Sequence, residues 1–394
     1  MNSSYIIAAC RTPIGKFLGS LSSLSATELG AIAVGEAVGR TGIAPEDVQE
    51  VILGNVLSAG LGQAPARQAA LGGGLPPAVA ALTINKVCGS GLKAAMLADQ
   101  AIRLGEARVI VAGGMESMSR APYLLRGCRR GWKLGDQQAI DSMIHDGLWC
   151  AFEQTHMGQA ADYIAASRGV SRADQDGFAL ESHRRAVTAW QRGEFESQLV
   201  PVTVGAGDGR QLVSADEGPR QDTSLQALAS LPAAFQHDGT VTAGNAAQLS
   251  DGAAAVVVSD AATARTIRSP ITARIVAVAT GGVEPKEIFV APVVAVEKVV
   301  LKARMTLADI DLVELNEAFA AQMLACLRAL KLDADKTNVN GGAIALGHPI
   351  GASGARVLVT LLHALAARDL TVGLAALCLG GGNAVAMIVE RCEV

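Results

Sequence analysis

The sequence has no strong excess of charge of either sign. Its 33 basic and 37 acidic residues are well mixed and give a formal net charge of −4 at pH 7. A basic field for nucleic acid and a polybasic patch for a membrane surface are therefore both absent. We expect no nucleic-acid and no membrane partner, so an anionic ligand has to be bound by local contacts.

The chain also lacks paired cysteines and long uninterrupted apolar runs. Its 7 cysteines are irregularly spaced without a C-x-x-C pair, which predicts reduced thiols and no metal site. No stretch of about 18 or more residues stays apolar without a charge, and the N-terminus lacks the order of a secretory signal. These absences predict a cytoplasmic protein without a membrane span.

Aromatic residues make up only 3% of the chain, whereas 50% of it is hydrophobic. Apolar strand-like runs alternate with longer helical patterns, which is typical of α/β layers, and the length allows two or three domains. Several runs are apolar throughout, as expected for strands covered on both faces. The predicted strands cover residues 5–9, 50–53, 109–112, 253–258, 275–279, 312–315, 374–378 and 384–389.

An internal repeat divides the chain. Residues 43–55 match 305–317 at an offset of 262, and residues 89–94 match 352–357 at an offset of 263. A repeat of this length indicates a duplicated domain and not a solenoid. The inserted segment is predicted to hold substrate, as large loops on a rigid scaffold commonly do. The predicted units are a first half at 1–118 with 249–270, a loop domain at 119–248 and a second half at 271–394.

Two cysteines lie in glycine-rich surroundings. Cys88 precedes Gly89, and Cys378 is followed closely by three glycines, so a substrate can approach both thiols. Cys88 also lies between a predicted strand and the start of a helix, where the helix N-terminus is expected to lower the thiol pKa toward neutrality. This setting favours a nucleophile over the alternative of a buried, inert cysteine.

His348 stands between a glycine and a proline, on a loop that leads into a helix. The rigid backbone leaves its ring free to project, although an isolated histidine is more often a structural or surface residue. Ser90 matches Ser353 in the repeat, so Cys88 corresponds to Gly351, three residues after His348. If the halves pack about a pseudo-twofold axis, the cysteine and histidine loops face each other.

Asn316 and Glu317 follow a predicted strand of the second half. An amide at this strand end can hold a water or donate to an oxyanion, and the carboxylate can orient neighbouring loops. The alternative is that Asn316 caps the next helix. The turn at 113–119 is interpreted as architecture.

These residues lie in segments that resemble the thiolases, in particular acetyl-CoA acetyltransferases of the biosynthetic type. The resemblance implies a duplicated αβαβα layered fold, a loop domain that covers coenzyme A, and dimers or dimers of dimers. The matching segments are 85–91 (NKVCGSG), 113–119 (GGMESMS), 316–320 (NEAFA), 340–349 (NGGAIALGHP) and 378–382 (CLGGG).

The resemblance also implies roles for the site residues. Cys88 would take the acyl group as a thioester, His348 would activate it, and Cys378 would remove the Cα proton of the second acetyl-CoA. Asn316 would stabilise the enolate oxygen through a water, and the backbone N–H groups of Cys88 and Gly380 would form the other oxyanion hole. No cofactor would be tightly bound, because coenzyme A thioesters are the substrates.

The coenzyme A contacts carry departures from the family. Alanine replaces the usual serine at Ala227 and Ala247, and the bulky residues 288–290 stand where small residues line the acyl pocket. These changes leave open a coenzyme A-binding homologue with altered acyl specificity or reduced turnover. A decarboxylating ketoacyl synthase is disfavoured, because that type has two histidines and one cysteine. The implied contacts are Leu148, His156, Met157, Arg220, Ala243, Ala247, Ala318 and Phe319.

Overall fold

The structure is a computed structural model that describes residues 3–394. Residues 1 and 2 of the predicted first half lie outside the described residues. The strands are β1 (Ser4–Arg11), β2 (Gly15–Lys16), β3 (Glu50–Gly54), β4 (Ala80–Ile84), β5 (Val109–Ser117), β6 (Tyr123–Leu125), β7 (Ala139–Asp141), β8 (Trp149–Cys150), β9 (Thr155–His156), β10 (Val202–Val204), β11 (Gln211–Val213), β12 (Ser250–Asp260), β13 (Ala273–Gly282), β14 (Leu312–Leu315), β15 (Val372–Leu379) and β16 (Asn383–Arg391).

Helices connect most of these strands. They are α1 (Ala26–Gly39), α2 (Pro65–Gly72), α3 (Ser90–Leu104), α4 (Met157–Ser167), α5 (Arg172–Gln191), α6 (Leu225–Ala229), α7 (Ala261–Ala264), α8 (Ala291–Ala303), α9 (Ala320–Leu330), α10 (Ala343–Leu346) and α11 (Ile350–Ala367). A π-helical turn lies at Met143–Leu148. All eight strands predicted from the apolar runs are present.

The main sheet shows the duplication directly. Its strand order is β14-β15-β16-β13-β1-β12-β5-β3-β4. The first half begins at the centre with β1 and ends at the edge with β3 and β4, and the second half begins at the centre with β13 and ends at the opposite edge with β14. The halves meet where β1 and β13 pair over only two positions, Tyr5 with Arg274 and Ile6 with Ala273. Pairing is parallel between β3 and its two neighbours and between β14 and β15. The carboxyl ends of β3, β5, β14 and β15 are where ligands bind in such sheets.

The helices occupy three layers around the two halves of this sheet. The central helices α3 and α11 pack against each other and against strands of both halves, forming the largest apolar core. On the outer face of the first half lie α1 and α2, and on that of the second lies α8, with α9. This is the predicted αβαβα order, and burial of both sheet faces explains the apolar runs.

The central helices approach each other through a pair of glycines. A Cβ added to Gly91 would lie 2.6 Å from the backbone nitrogen of Ala355, and one added to Gly354 would lie 2.3 Å from that of Leu92. Gly91 and Gly354 are equivalent in the repeat. Only residues without a side chain allow this contact, so the two helix starts face each other as the repeat predicts.

One helix among residues 3–394, α11, is long and apolar enough to cross a membrane, with a mean hydropathy of 1.5. It is 89% buried inside the protein, between the two halves of the sheet. It is therefore the core helix of the fold. The inserted segment carries α4 and α5, which pack on α9 and α10 of the second half. The boundaries 118/119, 248/249 and 270/271 stay a prediction.

Candidate active site

A cavity of about 370 Å³ lies where both halves and the inserted segment meet. Most of its lining is apolar, and polar chemistry is confined to a few side chains. The cavity brings together eleven of the residues selected from the sequence. They are Cys88, Leu148, His156, Met157, Ala243, Ala247, Ala318, Phe319, His348, Cys378 and Gly380.

Two selected residues are not part of this lining. Asn316 is buried beside His348, with its Nδ2 3.5 Å from the ring Nδ1. Arg220 is exposed, and its backbone N–H donates to Nδ1 of His183 at 3.1 Å. The cavity therefore gives Arg220 no contact with the reacting groups, and its role at the nucleotide stays a prediction.

Cys88 lies on a short loop between β4 and α3, and local hydrogen bonds hold this loop. The Ser90 hydroxyl accepts from the backbone N–H of Lys86 at 2.8 Å and donates to the carbonyl of Val87 at 2.6 Å. Val87 has a φ of 47°, which is unusual for a β-branched residue. Strain of this kind is found at functional sites and projects the next side chain, that of Cys88, out of the regular chain path.

The glycine after the thiol is closely packed against the second half. A Cβ at Gly89 would lie 2.2 Å from the side chain of Leu379. Packing between the halves therefore leaves little room for a side chain here, and the predicted role of Gly89 in substrate access stays a prediction. The glycines after Cys378 close a tight hairpin between β15 and β16, and two of them, Gly381 and Gly382, have positive φ.

The expectation of a lowered thiol pKa at Cys88 is wrong for this state of the protein. Although part of the residue is open to the cavity, burial raises the pKa of Cys88 to about 12, and Glu116 adds to the shift. Desolvation by the apolar walls outweighs the favourable helix N-terminus. The resting residue is a thiol, so a base must accept its proton before it attacks.

His348 is placed to be that base. It is only 8% exposed, and burial lowers its pKa to about 3, with the positive charge of Arg356 acting in the same direction. The imidazole is therefore neutral at ordinary pH. Its Nδ1 lies 2.6 Å from the Ser353 hydroxyl, which donates to the carbonyl of Pro349 at 2.9 Å. With the hydroxyl proton used there, Nδ1 carries the ring proton and Nε2 is free to accept one.

The loop around His348 is held by groups distant in the sequence. The carbonyl of Gln248 and the hydroxyl of Ser250 both accept from the His348 N–H, at 2.9 and 3.2 Å. Gly347 precedes the histidine with a φ of 113°, and a Cβ there would lie 2.3 Å from the Ser250 hydroxyl oxygen. A glycine is thus required for the chain to turn beside this support.

Glu116 supports the same loop from the first half. Its carboxylate is fully buried and accepts from the N–H groups of Val56, Leu57 and Gly351 and from the Asn55 amide, at 2.9 to 3.1 Å. Gly351 lies in the first turn of α11, just after His348. Sequence reasoning treated the segment containing Glu116 only as architecture, whereas the carboxylate joins the two halves at the site. An acidic residue at the end of a wholly apolar strand was the available signal.

Glu317 fixes the other side of the histidine loop. It accepts from the Ser182 hydroxyl at 2.7 Å, from the Asn338 amide at 3.0 Å and from the N–H of Ile344 at 3.2 Å. The predicted orienting role of this carboxylate matches these contacts. The alternative role of Asn316 as a helix cap is wrong, because α9 begins at Ala320 and its capping position is Phe319.

Cys378 is the last but one residue of β15, lines the same cavity and is 2% exposed. Burial raises its pKa well above the usual value, and the nearby Cys88 adds to the shift. Two thiols and one neutral imidazole therefore share a largely apolar cavity. Such a set can form a thioester on one sulfur while the other groups carry protons.

Aromatic rings form the outer wall of the cavity. His156 stacks on Phe235 at 4.8 Å, and Phe319 meets Phe235 and Phe289 edge to face at 6.3 and 5.1 Å. Sequence reasoning missed Phe235, as well as Met143 and Gln248 in the lining. Their segments come from the insertion, and no local motif marks them.

Comparisons with known proteins agree along the whole chain. A family model described as "Thiolase, N-terminal domain" matches residues 4–262, and one described as "Thiolase, C-terminal domain" matches residues 269–391. The acetyl-CoA acetyltransferase of Pseudomonas aeruginosa is 52% identical over 392 residues, covering 99% of this chain and 100% of that protein. An acetyl-CoA acetyltransferase of Escherichia coli gives the same identity and coverage.

Solved structures are similar over the same extent. The crystal structure of the Bacillus anthracis acetyl-CoA acetyltransferase has a TM-score of 0.97 and 41% identity, and the match covers 100% of this chain and 99% of that one. The acetyl-CoA acetyltransferase of Syntrophomonas wolfei has a TM-score of 0.97 and 38% identity, with both chains covered completely.

Proposed function

The chain belongs to the thiolase family, and we propose that it is an acetyl-CoA C-acetyltransferase. It condenses two molecules of acetyl-CoA to acetoacetyl-CoA and free coenzyme A, and it catalyses the reverse thiolysis. The observation that carries this proposal is the meeting of Cys88, Cys378 and His348, from three separate segments, in one apolar cavity. Two relatives that are 52% identical to this chain over 392 residues are named acetyl-CoA acetyltransferases.

In the first half-reaction, His348 takes the thiol proton as the Cys88 sulfur attacks the acetyl carbonyl of acetyl-CoA. The tetrahedral intermediate collapses, coenzyme A leaves with the proton of the Cys378 thiol, and an acetyl thioester remains on Cys88. Cys378 is then a thiolate, and His348 keeps the proton taken from Cys88. The neutral state of His348 suits this step, because only an unprotonated imidazole can accept the proton. The backbone N–H groups of Cys88 and Gly380 are proposed to stabilise the oxyanion.

In the second half-reaction, the Cys378 thiolate removes a Cα proton from a second acetyl-CoA and becomes a thiol again. The resulting carbanion attacks the carbonyl carbon of the acetyl-Cys88 thioester, and the Cys88 sulfur leaves with the bonding electrons and takes back the proton held by His348. Asn316, acting through a water and together with His348, is proposed to stabilise the enolate oxygen. Storing the acetyl group on Cys88 divides one difficult step into two, which predicts a ping-pong kinetic pattern.

Coenzyme A itself would lie along the aromatic wall. Seven of the proposed contacts line the cavity, namely Leu148, His156, Met157, Ala243, Ala247, Ala318 and Phe319. The N–H of Ala247 is already bonded to the carbonyl of Ala318 at 3.0 Å, so these two residues would offer apolar surface. We propose no tightly bound cofactor, because the two thioester substrates supply all the groups that react.

We also propose that the protein is a cytoplasmic dimer or tetramer. The strand β4 ends the main sheet, and its outer edge pairs with no other strand among residues 3–394. Leu82 on this strand is 43% exposed. An unpaired, apolar sheet edge favours pairing with another strand, and a second copy of the chain would cover it.

Thiolysis of acetoacetyl-CoA tests the activity. We expect wild-type protein to consume acetoacetyl-CoA when coenzyme A is added, and Cys88→Ala, Cys378→Ala and His348→Ala each to lose about 10⁴-fold or more in kcat. Cys392→Ala, which removes another partly exposed thiol, should leave the rate unchanged. Mass spectrometry of peptides should show an acetyl group on Cys88 in both wild type and Cys378→Ala.

Two results would contradict this function. Wild-type protein that turns over no short 3-ketoacyl-CoA would support the alternative of a coenzyme A-binding homologue without thiolase activity. Retained activity in Cys88→Ala would exclude the thioester mechanism even if the reaction itself is correct.

The acyl pocket is proposed to select a short chain. Ile288 and Phe289 line the cavity and are each only 2% exposed, and Phe289 is fixed against Phe319. A wall of fixed rings cannot move aside for extra methylene groups, each of which is worth about 10- to 200-fold in discrimination. We expect acetyl-CoA to react at least about tenfold faster than butyryl-CoA or a branched acyl-CoA in steady-state assays. Equal rates would count against a tight pocket.

A further inference from the structure

A guanidinium group lies directly behind the catalytic pair of Asn316 and His348. Arg356 stands in the second turn of α11 and is 2% exposed, which makes it one of the largest fully enclosed side chains. Its Nη2 donates to Oδ1 of Asn316 at 3.2 Å. None of the roles described above uses this residue.

The contact determines which way the Asn316 amide points. A guanidinium has donors only, so the atom of Asn316 that faces Arg356 must be the oxygen. The amide nitrogen then faces the other side, where it lies 3.5 Å from the His348 ring. Without the Arg356 donor, the Asn316 amide could rotate by 180° at little cost. Its oxygen, an acceptor, would then replace the nitrogen, a donor, beside the His348 ring.

The charge of Arg356 is only weakly compensated. The one carboxylate within 4.0 Å among the described residues belongs to Glu314, at 3.8 Å from Nη1. Nε and Nη1 form no hydrogen bond to any described group. Burial also raises the pKa of Glu314, which favours its neutral form. A net positive potential therefore remains beneath the Asn316 and His348 side chains.

We propose that Arg356 is a positioning residue of this site, which holds the Asn316 amide with its nitrogen toward the His348 ring and supplies a buried positive charge behind the Asn316 and His348 side chains. This inference rests on the proposed thiolase function. The charge acts on two steps. It disfavours protonation of His348, which keeps the base ready, and it stabilises the negative oxygen that develops during enolate formation.

Other ionisable groups also face His348. Cys88 and Cys378 share the cavity with it, Glu116 binds the N–H of Gly351 after it, and Glu317 binds the N–H of Ile344 before it. Burial opposes protonation of the ring, and the charge of Arg356 acts in the same direction. Removing the guanidinium should therefore raise the pKa of His348. A packing change that admits water would also raise it, so Arg356→Lys, which keeps the charge, separates the two causes.

The repeat provides a matched control. Lys93 is the counterpart of Arg356, because it occupies the same position on α3 at an offset of 263. Its side chain is partly exposed, and it lies outside the cavity lining. Replacing Lys93 removes one cation from an equivalent helix turn without touching the Asn316 amide.

The experiment compares Arg356→Gln, Arg356→Lys and Lys93→Gln with wild type in acetoacetyl-CoA thiolysis from pH 3 to 9, a range that includes the wild-type acid limb expected near pH 3. We expect Arg356→Gln to lower kcat by about 10- to 100-fold, below the loss from removing an oxyanion donor itself. KM for coenzyme A should change less than threefold. The acid limb of the kcat/KM profile should move up by about one pH unit. Arg356→Lys should keep the wild-type acid limb, and Lys93→Gln should match wild type throughout.

The outcomes separate this inference from the function on which it rests. Failure of wild type to react would remove the function, whereas reaction of wild type with an unchanged kcat and acid limb in folded Arg356→Gln would overturn only the role of Arg356. Equal losses in both Arg356 variants with no shift of the acid limb would show a purely structural role. If Arg356→Gln does not fold, Arg356→Lys decides: an acid limb displaced by a full pH unit would contradict the proposal.

Discussion

The two helix starts that carry the nucleophile and the base are equivalent in the repeat but are held in different ways. The Cys88 loop is partly exposed, and its short hydrogen bonds run within four positions of the chain, through Ser90 and Asn85. Its long-range side-chain hydrogen bond joins Lys86 Nζ to Oδ1 of Asn383 at 3.5 Å. The His348 loop is buried, and its supports come from Ser250 at 98 positions and Glu116 at 235 positions along the chain.

This difference suits the two chemical tasks. A base must keep one tautomer and one orientation through both half-reactions, so a network that spans both halves is appropriate. The nucleophile must accept, hold and release an acyl group, and its loop has access to the cavity and a strained residue at Val87. Duplication supplied two similar helix starts, and the surrounding loops made one rigid and the other accessible.

The strongest way to break this pairing is to separate the two helices. In Gly354→Ala the new methyl group would lie 2.3 Å from the backbone nitrogen of Leu92 on α3. Backbone atoms in a helix cannot move aside locally, so we expect a loss of about 3 kcal/mol in the free energy of unfolding. Displacement of His348 from Cys88 by about 1 Å should reduce kcat by about 100-fold. Chemical denaturation and the thiolysis assay measure the two effects.

Gly39 at the end of α1 provides the control for this prediction. A Cβ at Gly39 would meet no atom within 4 Å. Gly39→Ala should therefore leave kcat unchanged and raise stability by about 0.5 to 1 kcal/mol, because alanine restricts the unfolded chain. A Gly354→Ala protein as stable and as active as Gly39→Ala would show that the close approach of the helices is not needed.

Much of this arrangement is predictable from sequence where the signal is local or repeated. The apolar runs predicted the eight strands, and the match of Ser90 with Ser353 predicted that the helix starts face each other. Cys88, His348 and Cys378 stood out because glycine, proline and strand ends surround them. These features follow from short stretches of chain, which a single sequence displays directly.

The remainder depends on contacts between distant segments. Glu116 reaches Gly351 across the interface of the halves, and Phe235 enters the cavity from the insertion. The sequence around Glu116 marks it only as an acidic residue at the end of an apolar strand, and no local motif marks Phe235. The lowered thiol pKa expected at Cys88 was wrong for the same reason. A helix start is visible in the sequence, whereas the apolar walls that desolvate the thiol come from several other segments.

The burial of the base also has a consequence for stability, which sharpens the contrast with the accessible loop. The pKa of His348 is lowered to about 3 in the folded protein, whereas an unperturbed histidine has a pKa of about 6.5. Between these values the unfolded chain binds a proton that the folded protein does not, so stability is complete above pH 6.5 and falls as the pH decreases. At pH 5 the loss attributable to His348 is about 2 kcal/mol. When the pH is lowered from 7 to 5, we expect the free energy of unfolding of wild type to fall by about 2 kcal/mol more than that of His348→Asn.

The exposed His237 is the appropriate comparison, because its side chain is 98% exposed. His237→Asn is therefore the control for replacing a histidine whose ring is not buried. His363 is buried like His348, and its pKa is lowered to about 4, so His363→Asn should reduce the acid sensitivity in the same direction. Urea denaturation of the four proteins at the two pH values measures these differences. If His348→Asn and His237→Asn behave alike, the base would have to be solvated in the folded protein, and the rigid, desolvated histidine loop would no longer distinguish it from the cysteine loop.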